Sequence, residues 1–132
     1  MDKSEKIGPS PYMRLLGVEV EEADYPHIRV AMKFNKQLTN PNGTFHGGVI
    51  SSLVDIALGS ALFQDQSIRG IATMELKVNY LQGITEGKVT VEGEIIHRKN
   101  HLAFGEVYIY NDGVLAAVGS ATYRLTEQQD KK

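Results

Sequence analysis

Cysteine is absent from the 132 residues, so disulfides and thiolate zinc sites are excluded; a reducing compartment is compatible with this composition. Excess charge of one sign is also missing. The formal net charge is −2 and the Lys and Arg residues are scattered, so no basic face offers a footprint for nucleic acid. The first thirteen residues, MDKSEKIGPSPYM, are polar and lack the apolar core of a signal peptide. The longest apolar stretch, FHGGVISSLVDIALGSALF at 45–63, carries Asp55, Ser51, Ser52 and several glycines, which makes a poor membrane span. No G-x-S-x-G elbow occurs, which argues against a serine hydrolase. The four histidines (27, 46, 97 and 101) show no metal-ligand pattern, so no metal is expected. There is no internal repeat and no low-complexity segment. A soluble cytoplasmic protein that binds neither nucleic acid nor membrane is expected.

What is present suits one domain. Hydrophobic residues make up 42% of the chain, enough for a sizeable core. Residues 1–10 read as a flexible lead, 11–126 as the domain and 127–132 as a polar tail. Pro11 opens a short helix through Leu16. Val18 to Glu22 and Ile28 to Phe34 alternate as strands do, around a Tyr25-Pro26-His27 turn. An irregular stretch, 37–44, precedes a long helix over His46–Gln64, and 65–70 reads as a loop. From Ile71 the period is two, with Ala72, Met74, Leu76, Val78 and Tyr80 expected on one face. Further strands follow at 89–95, 102–110 and 114–125. Arg98 to His101 reads as a charged turn and Asp112-Gly113 as a hairpin turn. The class is α+β: one antiparallel sheet of five to six strands, wrapped around a single helix that is apolar around most of its circumference.

Asp55 is the residue that does not fit that helix, because a carboxylate in apolar surroundings needs compensation. Helical spacing puts Gly48, Ser51, Ser52, Leu58, Gly59 and Leu62 on its face, and four of these six are small. A stripe of Gly and Ser lets a partner backbone or a slender ligand approach. The alternative is an Asp satisfied by those serines or by a buried Lys or Arg. At the helix start, Gly47 and Gly48 bare the first free amides, where the helix dipole favours negative charge such as a developing oxyanion; a simple glycine hinge explains the same pair. His46 alone reads equally as a residue bonded to nearby backbone. Gly47 and Asp55 lie eight residues apart, about 12 Å along the axis, and His46 and Asp55 face about 180° apart. One reacting carbon cannot reach both within one chain. Either the two features are unrelated, or the helix start of one subunit faces Asp55 of another in an obligate oligomer.

The run from Asn40 to Asp55, N-x-x-G-T-F-H-G-G-x-x-x-x-L-x-D, followed by T-M-E-L-K-V-N-Y-L, resembles the signature of hotdog-fold acyl-CoA thioesterases. The resemblance is nearest to the phenylacetic-acid-degradation subfamily, with the hydroxybenzoyl-CoA thioesterases as relatives, and it covers nearly the whole chain. It implies a hydrolase acting on an acyl- or aryl-CoA thioester, with no cofactor beyond the coenzyme A of the substrate. It implies Asp55 as the catalytic carboxylate, acting on water as base or attacking as nucleophile. The Gly47 amide would polarise the thioester carbonyl, and Asn40 and His46 would position thioester or water. Thr73 would hold the attacking water beside Asp55, unless it is an ordinary strand threonine. Homodimers, often paired into tetramers, are implied as well. For the phosphates of coenzyme A, Arg98, Lys99 and His101 form the best local cluster, which a solvated turn explains more simply. Ser52, Gly48, Gly59 and Tyr80 would border the substrate; Tyr80, Phe63, Leu62 and Met13 read as pocket wall or as core. Rival expectations are a hydratase or dehydratase on the same fold, or a non-catalytic acyl-CoA binder.

Overall fold

A computed structural model describes residues 10–127. The order is α1 (Pro11–Leu16), β1 (Glu19–Asp24), β2 (His27–Lys33), a 3-10 turn (Lys36–Leu38), α2 (Gly47–Leu62), β3 (Ile68–Tyr80), β4 (Lys88–Lys99), β5 (Leu102–Asn111) and β6 (Val114–Glu127). Ser10, the last residue of the expected lead, caps α1 by accepting from the Met13 amide, and Glu127 still belongs to β6. The rest of the expected lead and tail, 1–9 and 128–132, lies outside the described residues.

The six strands form one antiparallel sheet in the order β1-β2-β4-β5-β6-β3. Ten of the sixteen residues of α2 are buried, so one apolar stripe would not suffice; the sheet curls around the helix, and β2 to β6 all touch it. Close approach depends on glycines facing α2 from β4, β5 and β6. A Cβ at Gly105 would sit 2.6 Å from Leu58 Cδ2, and one at Gly119 2.6 Å from Val54 Cγ2. Helix and sheet therefore pack nearly backbone to side chain along this lane. Asp112 and Gly113, both at positive φ, form the β5–β6 hairpin turn expected from their sequence.

Strand β3 departs from the expected alternation. Thr73 pairs with Tyr123 but Glu75 pairs with Thr122, so Met74 is an extra, bulged residue. A bulge reverses which side chains face the core. Ile71 and Thr73 face α2 before it; Leu76, Val78 and Tyr80 face α2 after it. Ala72 and Met74 are therefore not on the face of Leu76, Val78 and Tyr80, and Met74 is 60% exposed. The bulge aims Thr73 at the helix. β3 also begins at Ile68, inside the expected loop.

Candidate active site

The helix start is built by its own loop. Asn40 Oδ1 accepts from the amides of Asn42 (2.9 Å) and Thr44 (3.2 Å), and its Nδ2 donates to Thr44 Oγ1 at 2.7 Å. The loop is pinned outward too: Phe45 N–H donates to the Ile84 carbonyl and His46 N–H to the Leu38 carbonyl. Asn40 is thus a brace for residues 40–44, with one N–H left over. His46 is the N-cap of α2, its Nδ1 accepting from the Gly48 amide at 2.8 Å. In the neutral ring the proton then sits on Nε2, which points away from that bond. Tyr80 lies across Gly47 and donates from its hydroxyl to the Gly47 carbonyl at 3.0 Å. That carbonyl shares a peptide with the Gly48 N–H, so Tyr80, the 47–48 peptide and His46 form one polarised chain. The Gly47 N–H has no acceptor among the described residues and stands at the positive end of the α2 dipole. A cavity of about 460 Å³ opens here, lined by Asn40, Gly47 and Tyr80 with apolar walls from Phe45, Ile50 and Ile84.

Two turns along α2, the compensation of Asp55 comes from the sheet. Thr73 and Tyr123, opposite each other on β3 and β6, both donate to Asp55 Oδ1 at 2.8 Å. Among the described residues no cation pairs with Asp55. The serines do not satisfy it either: Ser51 and Ser52 turn back to donate to the Gly48 carbonyl. Ser52 spends its hydrogen there, so at 2.7 Å the Tyr12 hydroxyl of α1 is the donor to Ser52 Oγ. Tyr123 is fully buried. Burial, reinforced by the Asp55 charge, pushes its phenol far above the ordinary tyrosine range, so it remains a donor. Asp55 Oδ2 has no partner among the described residues, and the carboxylate is only half-buried. The chemistry available is one fixed, accessible carboxylate oxygen.

One chain does not unite these halves. The cavity at the helix start includes Gly47 and Asn40 but not Asp55, Thr73 or Tyr123. Gly48 is exposed on the stripe, whereas Gly59 is buried against Ile71, where a Cβ would lie 3.1 Å from Ile71 Cδ1. Leu62 and Met13 are core residues and Phe63 is half-buried. Arg98 requires a correction. It is no loose turn cation: it lies on β4, bound to Asp65 after α2 and to Glu127 at the end of β6. Burial opposes its charge, but Asp65, Tyr25 and Glu127 outweigh that and hold the guanidinium charged. Lys99 and His101 are exposed beside it. Tyr123 carried no sequence signal, since only the β3–β6 register brings it to Asp55.

Residues 42–117 match the model of the thioesterase superfamily. The chain belongs to that superfamily. It is a thioester hydrolase, and its six antiparallel strands around one helix are the hotdog fold. A Saccharolobus solfataricus protein named "Putative esterase SSO1253" is 31% identical over 130 residues, covering 96% of this chain and 87% of that one. The medium/long-chain acyl-CoA thioesterase YigI of Escherichia coli K12 is 27% identical over 132 residues, covering 87% of this chain and 85% of its own. The phenylacetic acid degradation protein PaaI of Thermus thermophilus, solved as a mutant, superposes with a TM-score of 0.80 at 21% identity, covering 87% of this chain and 98% of that one; this likeness is one of fold. Among the described residues no helix is long and apolar enough to cross a membrane, and no three His, Cys, Asp or Glu cluster as metal ligands.

Proposed function

We propose that the protein hydrolyses acyl- or aryl-CoA thioesters at a site completed by two subunits, and that it belongs with the phenylacetic-acid-degradation thioesterases. The observation that carries this is Asp55: a carboxylate without a cation, held by two hydroxyls at Oδ1 and open at Oδ2. Oδ2 takes a proton from water as the water oxygen bonds to the thioester carbon. The carbonyl oxygen gathers charge against the Gly47 N–H, the C–S bond breaks, and the thiolate leaves with little need of an acid. With His46 Nδ1 occupied by the Gly48 amide, the Nε2–H of the neutral ring is a further donor at the helix start. Thr73 donates to Asp55 and still has lone pairs for a hydrogen of the same water. Exposed Lys99 and His101 are available to coenzyme A phosphates.

The composite arrangement rests on the helix spacing and on β3. That strand is thirteen residues long and stands at an edge of the sheet, with β6 on one side and no strand on the other among the described residues. A second copy pairing there covers the edge and brings a second α2 alongside. Dimers, doubled into tetramers, are the assembly this reading requires.

Free-thiol release from a panel of fatty-acyl-, aroyl- and arylacetyl-CoA esters tests the reading; the name of the Escherichia coli relative puts medium and long chains first. Asp55→Asn should lose turnover and keep substrate binding. Asp55→Asn and Gly47→Pro chains, each inactive alone, should regain activity when co-expressed, because a mixed dimer carries one intact site. Full activity in Asp55→Asn would refute the carboxylate's role, and failure of co-expression to restore turnover would refute the composite.

A further inference from the structure

We infer that Tyr123 is a positioning residue for Asp55, which together with Thr73 fixes Oδ1 so that Oδ2 alone meets the reaction; this rests on the reading just given. The argument starts from burial. A fully buried phenol needs an acceptor. Tyr123 has two within reach, both on Asp55: the backbone carbonyl at 3.4 Å and the carboxylate Oδ1 at 2.8 Å. The short bond goes to the charge, as charge-assisted bonds do. Thr73 reaches the same oxygen at the same distance from the neighbouring strand. Two donors on one oxygen fix the carboxylate plane, since rotation about the Cβ–Cγ bond would break both.

The donors differ in mobility. Thr73 lies on an edge strand next to a bulge and is exposed. Tyr123 lies on β6, between β5 and β3, in the buried core. Tyr123 is therefore the fixed reference, and Thr73 is the donor free to respond to water. The pairing is also specific in register. A shift of β3 past β6 by one residue would turn Thr73 to the opposite face of the sheet.

The test is Tyr123→Phe, which removes one oxygen from an otherwise unchanged core. Loss of one bond to a charged group should lower kcat about 10- to 100-fold. KM should stay within about twofold, because Tyr123 is fully buried and presents no surface to a substrate. Thr73→Val should act in the same direction, and Thr73→Ser, which keeps the hydroxyl, should restore most of kcat. Wild-type kcat in Tyr123→Phe, with Asp55→Asn inactive, would overturn this inference and leave the proposed function standing. Wild-type kcat in Asp55→Asn would overturn both. A loss confined to KM would also overturn it. If Tyr123→Phe does not fold, 3-fluorotyrosine at 123 replaces it, keeping the hydroxyl while altering its donor strength. A changed kcat at constant KM then supports the inference, and an unchanged kcat overturns it.

Discussion

Gly119→Ala should destabilise the protein, while the same change at Gly70 should stabilise it. Gly119 faces α2 from β6; a Cβ there would lie 2.6 Å from Val54 Cγ2, 3.2 Å from Val54 Cγ1 and 3.1 Å from the Lys77 carbonyl oxygen. Carbon atoms rest at about 3.5–4.0 Å, so close to 1 Å must be opened. Val54 cannot yield by rotating: it is fully buried and β-branched. The strain therefore falls on the helix, at the residue before Asp55. Overpacking of this kind costs about 1–3 kcal/mol, and the reduced freedom of the unfolded chain returns about 0.4–1 kcal/mol. Taken at the midpoints of these ranges, the net loss is about 1.3 kcal/mol. At Gly70 the nearest heavy atom is Thr126 Cβ at 4.0 Å and φ is not positive, so only the gain of about 0.4–1 kcal/mol applies. Urea unfolding of both variants, at one protein concentration so that any association weighs equally on both, reads the two signs. Gly119→Ala as stable as Gly70→Ala would refute the close-packed lane, and with it the account of how the sheet sets Asp55 against Thr73 and Tyr123. Turnover is the second readout: a displaced helix lengthens the bonds at Oδ1, so kcat of Gly119→Ala should fall further than that of Gly70→Ala.

Two further outcomes are expected from titration. For Asp65, burial alone would push its carboxyl up, but bonds from the Ser67 hydroxyl and amide and from Arg98 outweigh it and hold the group below its usual range. A lowered folded pKa adds stability above the unfolded value of about 4 and loses it as pH falls further. Wild type should thus exceed Asp65→Asn in melting temperature near neutrality, and the gap should close below about pH 4; a gap constant with pH would exclude the Arg98 clamp as its origin. For Tyr123, the raised phenol pKa gives the opposite sign: stability is intact below about pH 10 and falls as pH rises beyond it. Absorbance of tyrosinate should show Tyr123 ionising only as the fold is lost, and Tyr123→Phe should remove that component; ionisation of Tyr123 in the intact fold would contradict its burial against Asp55.

The helix, its start and the hairpin turn were legible because their signals are local. His46-Gly47-Gly48 lie next to one another, and the asparagine and glycine of 40–43 announce a turn whose bonds all close within five residues. Asp55 was legible as an anomaly: a charge in an apolar run must be compensated, whatever compensates it. What compensates it was legible only in part: the family resemblance put Thr73 beside Asp55, and nothing pointed to Tyr123. Thr73 is 18 residues away and Tyr123 is 68, and only the register of two strands unites them. The bulge at Met74 defeated simple alternation, since one inserted residue reverses the faces without altering composition. Arg98 was visible as a cation, but its partners Asp65 and Glu127 belong to two other elements. A run of charges near a turn has the same sequence whether it is solvated or clamped.

This division runs through the site itself. The Gly47 half depends mainly on contacts within 40–48, a loop braced by Asn40 and a helix capped by His46, with Tyr80 of β3 reaching Gly47 from 33 residues away. The Asp55 half depends on the packing of the whole domain, because the glycine lane sets helix depth and the β3–β6 register sets the donors. Substitutions at Asn40 and His46 should therefore alter turnover with little loss of global stability, whereas Phe45 belongs to the core and its truncation should lose both. Substitutions that move α2 against the sheet should lose stability and turnover together. In the composite site proposed above, both halves serve one reaction but are held by different subunits, so a weakness in either half would appear in every active site of the assembly. The costly Asp55 is tolerable under those terms: its Oδ1 is satisfied by the core, and only Oδ2 is left open for the proposed reaction.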